Sequence, residues 1–198
     1  MQNILYIQAV PEEKESQKCL LIAMPQLRDP NFFQTTTLLS AFSSEGAMGV
    51  ILNRPLQVLI SDLVPKDKIP DEHVQVPVFW GGPVENHRGW IVHEDETLEK
   101  ESLKLDDRLY LSSSNEAWKR MLVTPLEEGK PRYRFFLGYS GWGPGQLEKE
   151  IAESSWVTSP LNRTIIFDKK PEALWKQSLA AIGVDPNMLA AAPQSEAN

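Results

Sequence analysis

The chain has a single cysteine and three histidines among its 198 residues, and no long apolar run. One cysteine excludes an internal disulfide and any cysteine-rich zinc site, and it suits a reducing compartment. The longest purely apolar stretch, Cys19-Leu20-Leu21-Ile22-Ala23-Met24, is far shorter than the roughly 20 residues that cross a bilayer, so no membrane association is expected. Residues 1–10 carry no basic leader, and Pro11-Glu12-Glu13 cuts the opening apolar stretch short of a signal peptide. A cytoplasmic protein is therefore expected. His73, His87 and His93 show neither His-Glu-x-x-His spacing nor a cysteine partner, so no metal and no cofactor are expected. Gly-Lys-Ser/Thr is absent as well, which excludes a P-loop.

Positive charge is also scarce. Twenty Lys and Arg face 27 Asp and Glu, a net charge of −7, and duplex DNA repels such a chain unless its cations cluster. One dense cluster exists, Lys130-Pro131-Arg132-Tyr133-Arg134. At strand spacing its three cations share a face opposite Tyr133 and Phe135. The first reading is a solvated strand edge kept from aggregating by charge, with a nucleic-acid patch as the alternative. Direct nucleic-acid binding is not expected.

What is present is a globular composition, 41% apolar and 24% charged, which excludes a disordered chain and a coiled coil. The length suits one domain over residues 1–185, with a loose tail over 186–198. Leu20–Met24 reads as a buried strand stopped by Pro25. Thr35–Phe42 and Ala47–Asn53 flank Ser43-Ser44-Glu45-Gly46, the pattern of a hairpin with a four-residue loop. Ile60–Val64 reads as one helical turn, and Pro65–Pro77 as a surface loop. Further strands are expected at Val78–Trp80, Gly89–His93, Arg108–Leu111, Tyr133–Tyr139 and Arg163–Phe167. Ser113 and Glu116 form the two ends of a capping box for a helix that buries Ala117, Trp118, Met121 and Leu122. A helix near Gly145–Glu153 should bury Leu147 and Ile151 while Glu148, Lys149, Glu150 and Glu153 face water. The last helix starts at Pro171 and stops at Gly183. Strands outnumber helices, and hairpins mix with crossover units, which predicts a mixed-sheet α/β or α+β layered architecture.

The strongest candidate for chemistry is Gly138-Tyr-Ser140-Gly141-Trp142-Gly143-Pro144-Gly145-Gln146, four glycines between a strand and a helix start. Free amides beside the positive end of a helix suit a phosphate or carboxylate. The glycine spacing does not match a dinucleotide fingerprint, and Asp168 lies too far along for its ribose acid. Ser140 meets only half of a nucleophile elbow, with Gly138 before it and Trp142 where the second glycine belongs. A rigid turn that lets Trp142 pack is the structural alternative. Asn53-Arg54-Pro55 and Gly81-Gly82-Pro83 each end an expected strand. There Asn and Arg can donate into a cleft, and glycine permits close backbone approach. A pair of tight turns is the plainer account. Cys19 reads as a small buried hydrophobe.

Three separated stretches, taken in order, resemble the bacterial AlgH/YqgE family. They are Leu21-Ile-Ala-Met-Pro25 with Asp29-Pro30-Asn31-Phe32 and Glu45-Gly-Ala-Met-Gly-Val-Ile-Leu-Asn-Arg-Pro55; Gly81-Gly-Pro-Val84 with Gly89-Trp-Ile-Val-His93; and Phe136-Leu-Gly-Tyr-Ser-Gly-Trp-Gly-Pro-Gly-Gln-Leu-Glu148. The resemblance implies a mixed, bifurcated sheet curling toward a barrel with helices packed on it. It also implies a proposed regulatory role in transcription of exopolysaccharide synthesis, without an established reaction, substrate or cofactor. This sequence departs from the family pattern at Gln34, where many members have Arg, at Phe42-Ser43, in place of a His-containing turn, and at Ser140, in place of Ala.

Three functions remain open. A regulatory adaptor acting through protein contacts suits an acidic chain with six tryptophans, and it predicts an exposed apolar patch. A small-anion binder or unrecognised enzyme would hold its ligand on the amides of Gly141, Gly143 and Gly145. Arg54 would then be the counter-charge, Asn53 and Gln146 the orienting groups, and Gly81 and Gly82 would lie close by. A direct DNA-binding regulator would use Lys130, Arg132 and Arg134.

Overall fold

A computed structural model describes residues 17–126 and 131–185, so Lys130, the opening residues and the tail over 186–198 lie outside the described part. The architecture follows from one strand, β9 (Tyr133–Trp142), which carries the run Tyr-Arg-Phe-Phe and is buried on both faces over Tyr133–Phe136. A strand covered on both sides reads as a continuous apolar run rather than an alternating one. On one side β9 pairs antiparallel with β6 (Val84–His93). Its other side is shared. β5 (Pro77–Trp80) runs parallel to it over Phe135–Leu137, and β3 (Gly46–Ile51) runs antiparallel to it over Ser140–Trp142.

The sheet therefore forks at Gly138. That residue has φ 72°, and a Cβ there would lie 2.5 Å from the Gly82 carbonyl oxygen. A Cβ on Gly81 would lie 2.2 Å from the Gly138 oxygen. No side chain fits where three strands meet, and this is the physical reason for glycine at both places.

From β9 the sheet continues through β3 to β2 (Thr36–Ser43), β1 (Cys19–Ala23) and β10 (Trp156–Ser159). Through β6 it continues to β8 (Leu109–Ser112) and β7 (Leu103–Asp106), while β4 (Pro55–Leu59) extends the β5 branch. Ten strands thus form one mixed, mostly antiparallel sheet that curls without closing into a barrel, and the fold is α+β. The helices are α1 (Ile60–Leu63), α2 (Asn115–Met121), α3 (Gln146–Ala152) and α4 (Pro171–Ala181). Helix α4 packs Trp175 and Leu179 on Ile22, and the Trp175 indole donates to the Ala23 carbonyl at 2.7 Å. Pro171 sits in its first turn and Gly183 has φ 77°, as the sequence predicts.

Several local expectations change. The β2–β3 hairpin is tighter than predicted, because Ser43 pairs directly with Gly46 and only Ser44 and Glu45 form the loop. Ser114, one residue later than expected, caps α2 by accepting the Ala117 amide at 3.0 Å. Arg163–Phe167 is not a strand; Thr164–Asp168 forms a wide helical turn, with Asn162 Oδ1 accepting the Ile165 amide at 3.2 Å. The turn buries Ile165, Ile166 and Phe167 together in the main core cluster. Glu150 is only partly exposed. Its Oε2 accepts from the indoles of Trp142 at 3.1 Å and Trp156 at 2.8 Å.

The basic cluster changes most. Strand β9 lies inside the sheet, not at its edge, and Arg134 is buried. Arg132 pairs with Glu94 at 2.7 Å and Asp168 at 3.0 Å. A pattern read from three consecutive alternate residues carries no information on what flanks the strand, and that is why the edge reading fails.

Candidate functional site

The residues expected to hold an anion separate into two groups along β9. Gly81 and Gly82 lie against Gly138, Tyr139 and Ser140. The Gly81 carbonyl accepts from the Ile51 amide at 3.0 Å and from the Ser140 hydroxyl at 3.1 Å. Asn53 and Arg54 are tied in nearby, since the Arg54 carbonyl accepts the Trp80 amide at 2.8 Å. Their side chains, however, point into the chain before β2. Asn53 Oδ1 accepts the Thr36 amide at 3.0 Å, and its Nδ2 donates to the Gln34 carbonyl at 2.9 Å, across a residue held at φ 54°. Arg54 donates through Nη2 to the Phe33 carbonyl, and its burial lowers the guanidinium pKa.

Gly141, Gly143, Gly145 and Gln146 belong to the other end of β9, next to the β2–β3 hairpin, where Trp142 pairs with Ala47. The Gly143 amide donates to Gln146 Oε1 at 3.1 Å, and Gln146 Nε2 donates to Glu150 at 2.9 Å. Gly145 begins α3 at φ 72°. The structure thus brings Gly81 and Gly82 together with the start of the glycine-rich segment, and leaves Gly143–Gln146 apart from them.

Both buried histidines bond a hydroxyl, although His73 Nε2 has no hydrogen-bond partner among the described residues. His93 is fully buried, stacks on Tyr110 at 5.5 Å between ring centres, and faces the Ser102 hydroxyl at 3.0 Å. The Asp95 amide donates to its Nδ1 at 3.2 Å, which leaves Nε2 to carry the proton. Burial pushes its pKa down to about 4, against the opposing charge of Asp95. His73 is bonded to the Tyr133 hydroxyl, and burial lowers its pKa too, against the pull of Glu72. Among the described residues no group of three His, Cys, Asp or Glu side chains could hold a metal ion. Cys19 is buried, and burial pushes its thiol up to about 12. No helix among the described residues is long and apolar enough to cross a membrane.

A third region, missed by motif reading, presents an apolar surface. Leu63 and Val64 on one side and Asn115, Trp118, Lys119 and Leu122 on the other line an open groove of ≈ 370 Å³. Each wall has a local cause. The single turn of α1 is anchored by buried Ile60 and closed by Asp62, which accepts the Leu59 amide at 2.8 Å. With Ile60 facing the core, Leu63 remains 41% exposed. Ala117 and Met121 fix the buried face of α2. Trp118 then lies flat on Phe135, 4.0 Å between ring centres. Gly89 makes room for that indole, since a Cβ there would lie 3.0 Å from its Nε1. One face of the ring is used in packing while the indole also lines the groove. Val123, just beyond Leu122, is 57% exposed. Helical spacing predicts which α2 residues lie on one face, but the pairing of that face with α1 arises only from the fold.

Comparison with known proteins agrees with this architecture. The sequence matches the AlgH-like family over residues 20–187. It is 40% identical over 172 residues to a UPF0301 protein of Methylococcus capsulatus, covering 85% of this chain and 90% of that one. A UPF0301 protein of Myxococcus xanthus is 39% identical over 172 residues, covering 86% and 92%. The solution structure of the AlgH protein from Pseudomonas aeruginosa superposes with a TM-score of 0.67 at 31% identity, covering 92% of this chain and 99% of that one. A crystal structure of a protein from Corynebacterium diphtheriae, with a TM-score of 0.68, 18% identity and coverage of 92% and 95%, shares the fold.

Proposed function

The chain belongs to the AlgH-like family, and we propose that it is a cytoplasmic regulatory adaptor that acts through protein contacts at the groove between α1 and α2. The carrying observation is the groove itself, an open surface where Leu63, Val64, Trp118 and Leu122 come together. Its walls are aliphatic and aromatic apart from Asn115 and Lys119. A polar metabolite would leave its own hydrogen-bonding groups unpaired there. Both walls are helical, which suits an amphipathic helix from the partner, with apolar side chains at i, i+3 and i+4 in the groove. An acidic residue on that helix would face Lys119. The two buried histidines each bond a hydroxyl, to Tyr133 and Ser102, and burial lowers both pKa values, so they do not favour an enzyme. Burial of Arg134 and pairing of Arg132 support an adaptor over direct DNA binding, because neither cation is left for phosphates. A small anion along Gly138–Gln146 is the weaker reading, since the Gly143 amide and the Gln146 side chain already bond each other.

Selection of a random 12-residue peptide library on the purified protein tests the groove. Selected peptides should converge on apolar residues at helical spacing with an acidic position. They should lose at least tenfold in affinity for Leu63→Asp, a change at an exposed position that leaves folding within about 1 kcal/mol of wild type. Peptides without a shared pattern, or binding that Leu63→Asp leaves intact, would remove the proposal.

A further inference from the structure

A second binding feature lies at the start of β9. Arg134 is only 7% exposed, yet among the described residues no carboxylate pairs with it. Its Nη1 donates to the Leu52 carbonyl at 2.8 Å and its Nη2 to the Lys169 carbonyl at 3.0 Å, and the guanidinium lies 4.8 Å over the Phe79 ring. These bonds use two of five N–H donors. Asp168, whose charge acts on Arg134, is hydrogen-bonded to Arg132 instead. A buried cation without an anion is the costly half of an ion pair. The same side chain lines a cavity of ≈ 200 Å³ with Val76, Phe79, Tyr133, Phe167 and Pro171, and among the described residues it is the one charged group in the lining. The Tyr133 hydroxyl is engaged by His73.

We infer that this cavity binds a small carboxylic acid with a flat apolar body, its carboxylate on Arg134 and its body between Phe79, Phe167 and the proline. A guanidinium matches a carboxylate in a two-bond fork and loses little entropy in doing so. A phosphate dianion needs more donors than one arginine supplies, and its remaining oxygens would lie unpaired against Val, Phe and Pro. At roughly 30 Å³ per water, the volume equals about six or seven waters, the scale of a single-ring acid. The site is separate from the α1–α2 groove and does not depend on it. Burial draws the guanidinium down to about 10, against the charge of Asp168.

The test is titration of the full chain with benzoate, benzamide and inorganic phosphate. It is followed by the arginine side-chain Nε–H resonances in NMR and by thermal unfolding. Benzoate should shift one arginine Nε–H resonance saturably and raise Tm by several degrees at about 100 times its dissociation constant. Benzamide and phosphate should bind at least tenfold more weakly. Arg134→Lys should weaken benzoate at least tenfold. Val76→Phe, which adds bulk to the cavity lining, should abolish the shift while circular dichroism stays unchanged. Should either variant fail to fold, the wild-type comparison of benzoate with benzamide decides alone. Equal binding of the two, preference for phosphate, or no saturable shift overturns the inference.

Discussion

Gly138→Ala tests whether the glycines of the central segment serve the fork in the sheet. Two costs add at this position. Its φ of 72° is left-handed, which costs an L-residue about 1–2 kcal/mol. The new Cβ would meet the Gly82 carbonyl at 2.5 Å and the Val84 carbonyl at 3.0 Å, both backbone atoms rather than the ends of flexible side chains. Overpacking of that kind costs about 1–3 kcal/mol. The sum, about 2–5 kcal/mol, corresponds to a fall in Tm of roughly 5–15 °C for a chain of this size. Gly141→Ala is the internal control, three residues along the same strand. Its Cβ would find its nearest neighbour at 3.5 Å, in the mobile part of the Tyr139 ring, and its backbone is not left-handed. It should lie within about 0.5 kcal/mol of wild type, or be slightly more stable through the lost freedom of the unfolded chain. Urea unfolding followed by tryptophan fluorescence measures both. If Gly138→Ala unfolds with the wild type, or if Gly141→Ala falls as far as Gly138→Ala, the fork does not explain the glycines.

Two further predictions rest on buried polar groups. Glu150→Ala leaves the indole N–H groups of Trp142 and Trp156 without their acceptor and should cost about 2–4 kcal/mol in urea unfolding, whereas Glu150→Gln keeps an acceptor oxygen and should recover at least half of that. No loss in Glu150→Ala, or no recovery in Glu150→Gln, would show that the carboxylate does not hold the tryptophans. His93 has a folded pKa of about 4, below its unfolded value near 6.5. The unfolded chain therefore binds more protons between these values, and stability is fully present above pH 6.5 and falls as pH drops toward 4. The loss amounts to about 3 kcal/mol by pH 4. His93→Gln should flatten the stability–pH profile in that window, and an unchanged slope would refute the role of the buried imidazole.

Much of the fold is legible in the sequence because local rules agree with each other there. Cys19–Ala23 is a strand because six apolar residues end at a proline, and it is buried as expected. Pro171 and Gly183 mark the bounds of α4, and its spacing selects Leu174, Trp175, Ser178 and Leu179 as the buried face. Three strands escape such reading. β4 begins with a proline, β7 is mostly exposed, and β10 spans only four residues, so each depends on a partner strand rather than on its own pattern. Thr164–Asp168 has the β-branched composition of a strand but is drawn into a turn by the core it fills.

For the candidate sites, the residue types and their grouping along the chain were set by the sequence alone: an acidic chain, a glycine-rich segment after an aromatic strand, and an apolar α2 face. Tertiary structure decided what each of them faces. Pairing on both sides of β9 turns Arg134 from a surface cation into a buried one beside a cavity. The close meeting of Gly81, Gly82 and Gly138 sets these glycines where backbone segments pack too tightly for a side chain. Packing of α2 beside α1 makes a groove from residues more than fifty positions apart. Each outcome depends on which segments meet across long sequence separations. Local periodicity does not encode this, because a side-chain pattern specifies a face and not its neighbour.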